Sequence, residues 1–221
     1  AAAEDEPLPP VPDGPDPCDG LAGRARPCYD AVGAGRGPMM MVVPGMGGGK
    51  PFALSRGEIA VDDFNSYCRA AGQCAVRTVA SAELGRLPVQ NVTLAQARGY
   101  ARWLTRASGG WRYRLPTDAE WLHGAHANQQ WRQAPDSNCI PPTATSEQAG
   151  GPTGVRGREA NPWGLVNLAG NVWEWVSSGD GAALRGGSYA SYWSDCTVEA
   201  RRSAPATAQA DVGFRLLREL K

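Results

Sequence analysis

The sequence has no excess of either charge: Lys plus Arg and Asp plus Glu number 22 each among 221 residues. An even balance supplies no overall field to draw in nucleic acid or an anionic membrane surface, so neither is expected as a partner. No apolar run approaches the roughly 20 residues that span a bilayer, so the chain reads as soluble with no membrane span. It opens on Ala1 rather than Met, which reads as a processed or truncated product. Internal repeats are absent. Histidine is scarce, with only His123 and His126, in "HGAH". With no "HExxH" and no acidic or cysteine companion to complete a site, they read as surface residues rather than metal ligands. "GMGGGK" fails as a phosphate loop, because Pro51 follows Lys50 where a hydroxyl is required, and it reads as a flexible turn. "NVT" at Asn91 matches a glycosylation sequon, but Thr93 is already placed to cap a helix.

The six cysteines lack the CxxC spacing that a zinc ribbon or a thioredoxin-like site requires, so disulfides in an oxidising compartment are the better reading. Six cysteines allow about fifteen connectivities. Proximity suggests Cys18–Cys28 and Cys68–Cys74, and elimination leaves Cys139–Cys196.

Prolines crowd residues 1–38, in runs such as "PLPPVPDGPDPCDG", a composition that disfavours regular structure and marks an arm or linker. One principal domain is expected over 39–221. "MMMVVPG" reads as a short buried strand, and "PFALSRGEIA" as a second one after a glycine-rich turn. In "VDDFNSYCRAAG", Phe64, Tyr67, Cys68 and Ala71 share a helical face that Gly72 ends. In "TLAQARGYARWLTRASGG", Thr93 caps a helix whose stripe is Leu94, Ala97, Tyr100, Ala101 and Leu104. A third, shorter helix starts at Thr117, with Glu120 in capping-box register. Beyond about residue 125 helical periodicity stops, and Gly, Pro, Asn, Ser and Trp suggest irregular loops on a small twisted sheet.

"NPWGLVNLAGNVWEW" is unusual: Trp163, Trp173 and Trp175 are too large to leave exposed together, and Glu174 sits between two of them. A carboxylate buried among indoles needs a cation. One candidate is a calcium ion taking carboxylate, amide and carbonyl oxygens from this loop. The other is an arginine such as Arg185 or Arg202.

"RLPTDAEWLHGA", "NPWGLVNLAGNVWEW", "LRGGSY" and "DVGFRL", in this order and spacing, closely resemble the sulfatase-modifying-factor, or formylglycine-generating-enzyme, family. The resemblance covers 39–220 and implies an α+β, C-type-lectin-like fold with small twisted sheets, two main helices and much irregular structure. It also implies where chemistry would sit. The family's enzyme binds copper through two cysteines, separated by four residues, after "GGSY"; here Ser191 stands at the first place and Cys196 at the second. A serine hydroxyl is a poor Cu(I) ligand, so no copper is expected, and Cys196 is free to bridge Cys139. That cross-link would contribute about 4 kcal/mol by loop entropy. The family's calcium loop maps onto Asn167, Gly170, Val172 and Glu174, so one Ca²⁺ is expected. For a second ion Asn138 corresponds, but its acidic partner is missing.

The spacing "FNSYCRAAGQC" and the cysteines resemble a bacterial extracytoplasmic branch that includes outer domains of transmembrane Ser/Thr kinases and TagR-type periplasmic regulators of type VI secretion. This implies a periplasmic, non-catalytic binding or signalling module, with the outer domain of such a kinase as partner. Its cleft would be formed by Tyr189, Ser191, Trp193 and Arg202. Two other branches compete. One comprises oxygen-dependent or maturation enzymes lacking the paired cysteines. The other comprises variable proteins of diversity-generating retroelements, which would display Tyr189, Ser191–Asp195 and residues 204–211 to a ligand.

Overall fold

The structure, a computed structural model, describes residues 6–127, 138–157 and 159–221. Three short strands open it: β1 (Pro27–Cys28), β2 (Ala31–Val32) and β3 (Gly35–Arg36), the last two forming a hairpin. β4 (Met40–Val43) and β5 (Phe52–Ser55) follow, every residue of both buried. They are the two strands expected from the apolar runs on either side of the glycine-rich turn.

α1 (Val61–Ala71) has Asp62 and Asp63 in its first turn, where the helix dipole favours negative charge, and it stops at Gly72. Gly72 takes φ 64°, a left-handed conformation glycine reaches without a Cβ clash. α2 (Ala82–Gly85), which periodicity does not reveal, is one turn capped by Ser81. α3 (Leu94–Ala107) and α4 (Asp118–His126) both open with reciprocal capping boxes, Thr93 with Gln96 and Thr117 with Glu120. Between them lies β6 (Tyr113–Arg114). The C-terminal half contributes β7 (Trp173–Ser178), β8 (Gly181–Arg185), β9 (Arg201–Ser203), β10 (Val212–Gly213) and β11 (Leu217–Glu219).

Two sheets result. One has the order β1-β4-β5-β11-β6, with antiparallel neighbours, and the other the order β10-β7-β8-β9, in which only β10 and β7 run parallel. The last strand therefore returns to the first sheet and inserts between β5 and β6. One core cluster gathers Phe64, Tyr67, Tyr100, Phe214, Trp173 and Trp175 between the helices and the second sheet. Phe64 stacks on Tyr100 at 5.9 Å, and Phe214 meets Tyr100 edge-on at 5.6 Å. A second cluster packs Trp121 and Ala125 of α4 on Leu54, Leu165 and Val176.

The proline-rich segment is fastened to this body. β1 pairs with β4, and Cys18 bonds Cys28. Asp30, 1% exposed, receives Arg218 Nε at 2.7 Å and the Tyr113 hydroxyl at 2.5 Å. Asp16 pairs with the same Arg218 at 2.9 Å. The remaining cysteines join as Cys68–Cys74 and Cys139–Cys196, and among the described residues none is free. Three disulfides fit an extracytoplasmic, oxidising setting. No described helix is long and apolar enough to cross a membrane.

Candidate binding site at the 188–196 loop

The β7–β8 hairpin delivers the chain to Gly186 and Gly187, both at positive φ. A Cβ on Gly187 would fall 2.7 Å from the Asp195 carbonyl oxygen, so the loop can fold back on itself only over a glycine. Ser188 Oγ donates to Asp211 Oδ2 at 2.7 Å and lies 3.3 Å from Ser191 Oγ. Ile140 clamps the loop from below: its N–H donates to the Ser191 carbonyl at 2.9 Å, and its carbonyl accepts from Trp193 N at 3.0 Å. The adjacent Cys139–Cys196 bond locks the same junction, joining residues 57 apart in sequence.

This rigid base holds an aromatic tip. Tyr192 is 40% and Trp193 44% exposed, two of the few large apolar side chains left in solvent. Tyr189 is half-buried, and its hydroxyl donates to the Ala210 carbonyl at 3.4 Å. Burial and then the Asp211 charge raise its phenol above the usual tyrosine range. Arg202 stacks its guanidinium 4.9 Å from the Trp173 ring and donates to Gln209 Oε1 at 3.4 Å. Tyr189 and Arg202 therefore abut the same segment, residues 209–210, from two sides, whereas Ser191 and Trp193 belong to the loop itself.

At this loop Ser191 offers a hydroxyl, and Cys196 is bonded to Cys139. The residues do not fit a two-thiolate copper centre. The histidines are engaged elsewhere, His123 Nε2 against the Pro44 carbonyl at 2.8 Å and His126 against Glu199 at 3.4 Å.

Glu174 does find a cation, but neither arginine named from the sequence supplies it. Arg215 does: its Nε reaches Glu174 Oε2 and its Nη2 reaches Oε1, both at 2.6 Å. Trp121 Nε1 adds a third donor to Oε2 at 2.6 Å. Arg185 is drawn instead to Asp118, with bonds of 2.7 and 2.8 Å that hold the Asp118 carboxyl below the usual range. Arg202 is held by Trp173 and Gln209. The signal for Arg215 was present in "DVGFRL", but only topology brings that segment to the start of β7, through the parallel β10 pairing.

A second acid, Glu58, completes this buried cluster and was not evident from the sequence. Its oxygens accept from Asn167 Nδ2 at 3.0 Å and Asn171 Nδ2 at 2.8 Å. Burial, and then the charge of Glu174, push Glu58 up to about 8. Asn167 and Asn171 reach it from left-handed backbone, φ 56° and 64°, which asparagine tolerates better than other side chains. Asn171 Oδ1 in turn accepts from Asn138 Nδ2 at 3.0 Å and Thr153 N at 2.8 Å. Asn138 is thus drawn into the same network. Asn167, Gly170, Val172 and Glu174, the residues expected to hold a calcium ion, thus lie in a loop whose carboxylate already has a cationic partner. The Glu174 charge is neutralised by Arg215, which lowers the pull this loop can exert on a cation.

Known proteins resemble this chain at several levels. Residues 48–220 match the family described as "Sulfatase-modifying factor enzyme 1-like domain". A formylglycine-generating enzyme of Streptomyces coelicolor is 33% identical over 168 residues, 58% of this chain and 51% of that enzyme. Serine/threonine-protein kinase pkn1 of Chlamydia caviae is 29% identical over 157 residues, 61% of this chain and 24% of the kinase. The chain thus spans about half the length of the first relative and about a quarter of the second. Among solved structures, PvdO from Pseudomonas aeruginosa shares the fold, with a TM-score of 0.67 at 22% identity over 83% of this chain and 95% of PvdO.

Proposed function

The chain belongs to the sulfatase-modifying factor enzyme 1-like family, with its α+β, C-type-lectin-like fold, and from that premise we propose that it is a non-catalytic, periplasmic binding module. It presents the 188–196 loop to a protein, the outer domain of a transmembrane Ser/Thr kinase, in a pathway that controls type VI secretion. One observation carries the reading: where the family's enzymes need two thiols, this chain has Ser191 and a disulfide-locked Cys196, and the same loop lifts Tyr192 and Trp193 into solvent. A clamped base under exposed aromatic side chains suits recognition, since rigid aromatics give up little entropy on binding. A kinase relative that carries a similar domain supports the choice of partner.

The test is biolayer interferometry of the purified chain against the outer domain of a transmembrane Ser/Thr kinase from the same genome. Saturable binding that weakens at least tenfold in Trp193→Ala, with an unchanged melting temperature, is expected. Binding indifferent to Trp193→Ala and Tyr192→Ala overturns the assignment of the loop, and no binding overturns the kinase. Oxygen uptake by the purified protein would restore the enzymatic reading.

A further inference from the structure

Away from that loop, an open cleft of 500 Å³ lies between α1, α3 and the β2–β3 hairpin, and none of residues 188–196 lines it. The periodicity of the two helices builds it. Asp63 and Ser66 stand one turn apart on α1, while Tyr100, Trp103, Leu104 and Ala107 follow one stripe of α3. Val32 and Pro38 close the hairpin side. The walls are thus largely aromatic and aliphatic, with few polar groups among them. Two of those groups lack a counterpart. Tyr100 is 1% exposed, yet among the described residues its hydroxyl makes no hydrogen bond. Asp63 is exposed as a residue and, among the described residues, enters no ion pair. Its carboxyl is crowded by the cleft and by the Asp62 charge, which push it up to about 6 against the Ala60 backbone alone. Arg36 lines the hairpin side but does not serve it, because its guanidinium stacks 5.2 Å from the centre of the Tyr29 ring, outside the cleft.

We propose that this cleft binds a small organic amine, with its ammonium group on Asp63 and the Tyr100 hydroxyl and its apolar body along Trp103 and Leu104. An ammonium supplies what both polar groups lack, a positive charge for the carboxylate and an N–H donor for the phenol oxygen. One cation can answer both. Burial, and then the Asp63 charge, raise the Tyr100 phenol well above the usual tyrosine range, so the hydroxyl lies within the field of that carboxylate. Ser66 Oγ donates to the Asp62 carbonyl at 3.1 Å and keeps its lone pairs for a further N–H. The half-buried Trp103, its ring centre 5.6 Å from that of Tyr100, gives the body of the ligand an aromatic wall. The volume suits a small molecule, and the Tyr100 hydroxyl belongs to a side chain sunk below the surface, where a compact ligand reaches it. A ligand that presents a carboxylate instead would meet the like charge of Asp63.

The experiment is isothermal titration calorimetry of the full chain at neutral pH with phenethylamine, and with phenylpropionate as the probe of like shape and opposite charge. Two variants make it specific. Asp63→Asn removes the charge from an exposed position, and Tyr100→Phe removes a hydroxyl that bonds nothing in the fold, so both keep the wild-type melting temperature. Saturable binding of the amine that weakens at least tenfold in each variant, with no binding of phenylpropionate, is the expected result. The absence of amine binding, or binding that ignores either variant, overturns the proposal. Equal binding of phenylpropionate also overturns it, because the cleft would then take any apolar body whatever its charge.

Discussion

Glu174 and Arg215 meet as a two-pronged ion pair in the core, 1% and 0% exposed at their side chains, with each carboxylate oxygen 2.6 Å from a guanidinium nitrogen. Arg215 also donates to the carbonyls of Ser55, Arg56, Val166 and Asn167. One side chain thus stitches the end of β5, the 166–167 turn and β7 together. Arg215→Leu leaves a buried carboxylate and several carbonyls without partners and is expected to destabilise the fold by about 3–5 kcal/mol. Urea unfolding measures this, and a loss under about 1 kcal/mol would show that the pair is not what holds these segments.

The charge balance of that cluster makes a statement about calcium. A site filled at one hundred times its Kd would add about 2.7 kcal/mol, or on the order of 5–10 °C in Tm for a domain of this size. The arrangement described predicts a Tm unchanged within about 1 °C between EDTA and millimolar calcium. A rise of several degrees would mean that Glu174 leaves Arg215 to hold the ion.

Glu58 gives the fold a pH dependence. Its folded pKa is raised from 4.5 to about 8, so the native state keeps a proton that the unfolded chain releases. The stability this proton contributes is largest at low pH and is lost as pH rises from about 4.5 through 8, with a slope on the order of 1 kcal/mol per pH unit. Glu58→Gln, which cannot titrate, is expected to flatten that slope between pH 5 and 8 and to gain on the wild type at the alkaline end. Parallel curves for the two proteins would contradict the assignment.

The Cys139–Cys196 cross-link closes 57 residues, and loop entropy values it at about 4 kcal/mol. The double substitution Cys139→Ser and Cys196→Ser should therefore lower unfolding stability by up to that amount and loosen the aromatic tip. Partner binding is expected to fall with it. Full binding by a protein destabilised to that extent would show that the tip needs no clamp.

Much of this was legible in the chain. Local chemistry announces itself: Thr93 and Thr117 with glutamine or glutamate three residues on, Gly72 after a periodic stripe, and apolar runs around a glycine turn all give the elements found. Long-range pairing does not. Glu174 called for a cation, yet nothing local distinguishes Arg215, 41 residues away, from Arg185 or Arg202. The choice depends on β10 lying parallel to β7. Glu58 was less visible still, since its asparagine partners lie 109 and 113 residues downstream and its own neighbourhood reads as the end of a strand. The prolines around β1 likewise mask a segment that pairs with β4 through only two residues.

The central claim is that the loop after Gly187 recognises a partner and does no thiol chemistry, and a thiol count with a non-reducing peptide map tests it most directly. The account predicts no free thiol in the unfolded protein and a peptide in which Cys139 is joined to Cys196. A free Cys196, with Cys139 paired elsewhere or also free, would contradict it and return the loop to the enzymes of the family.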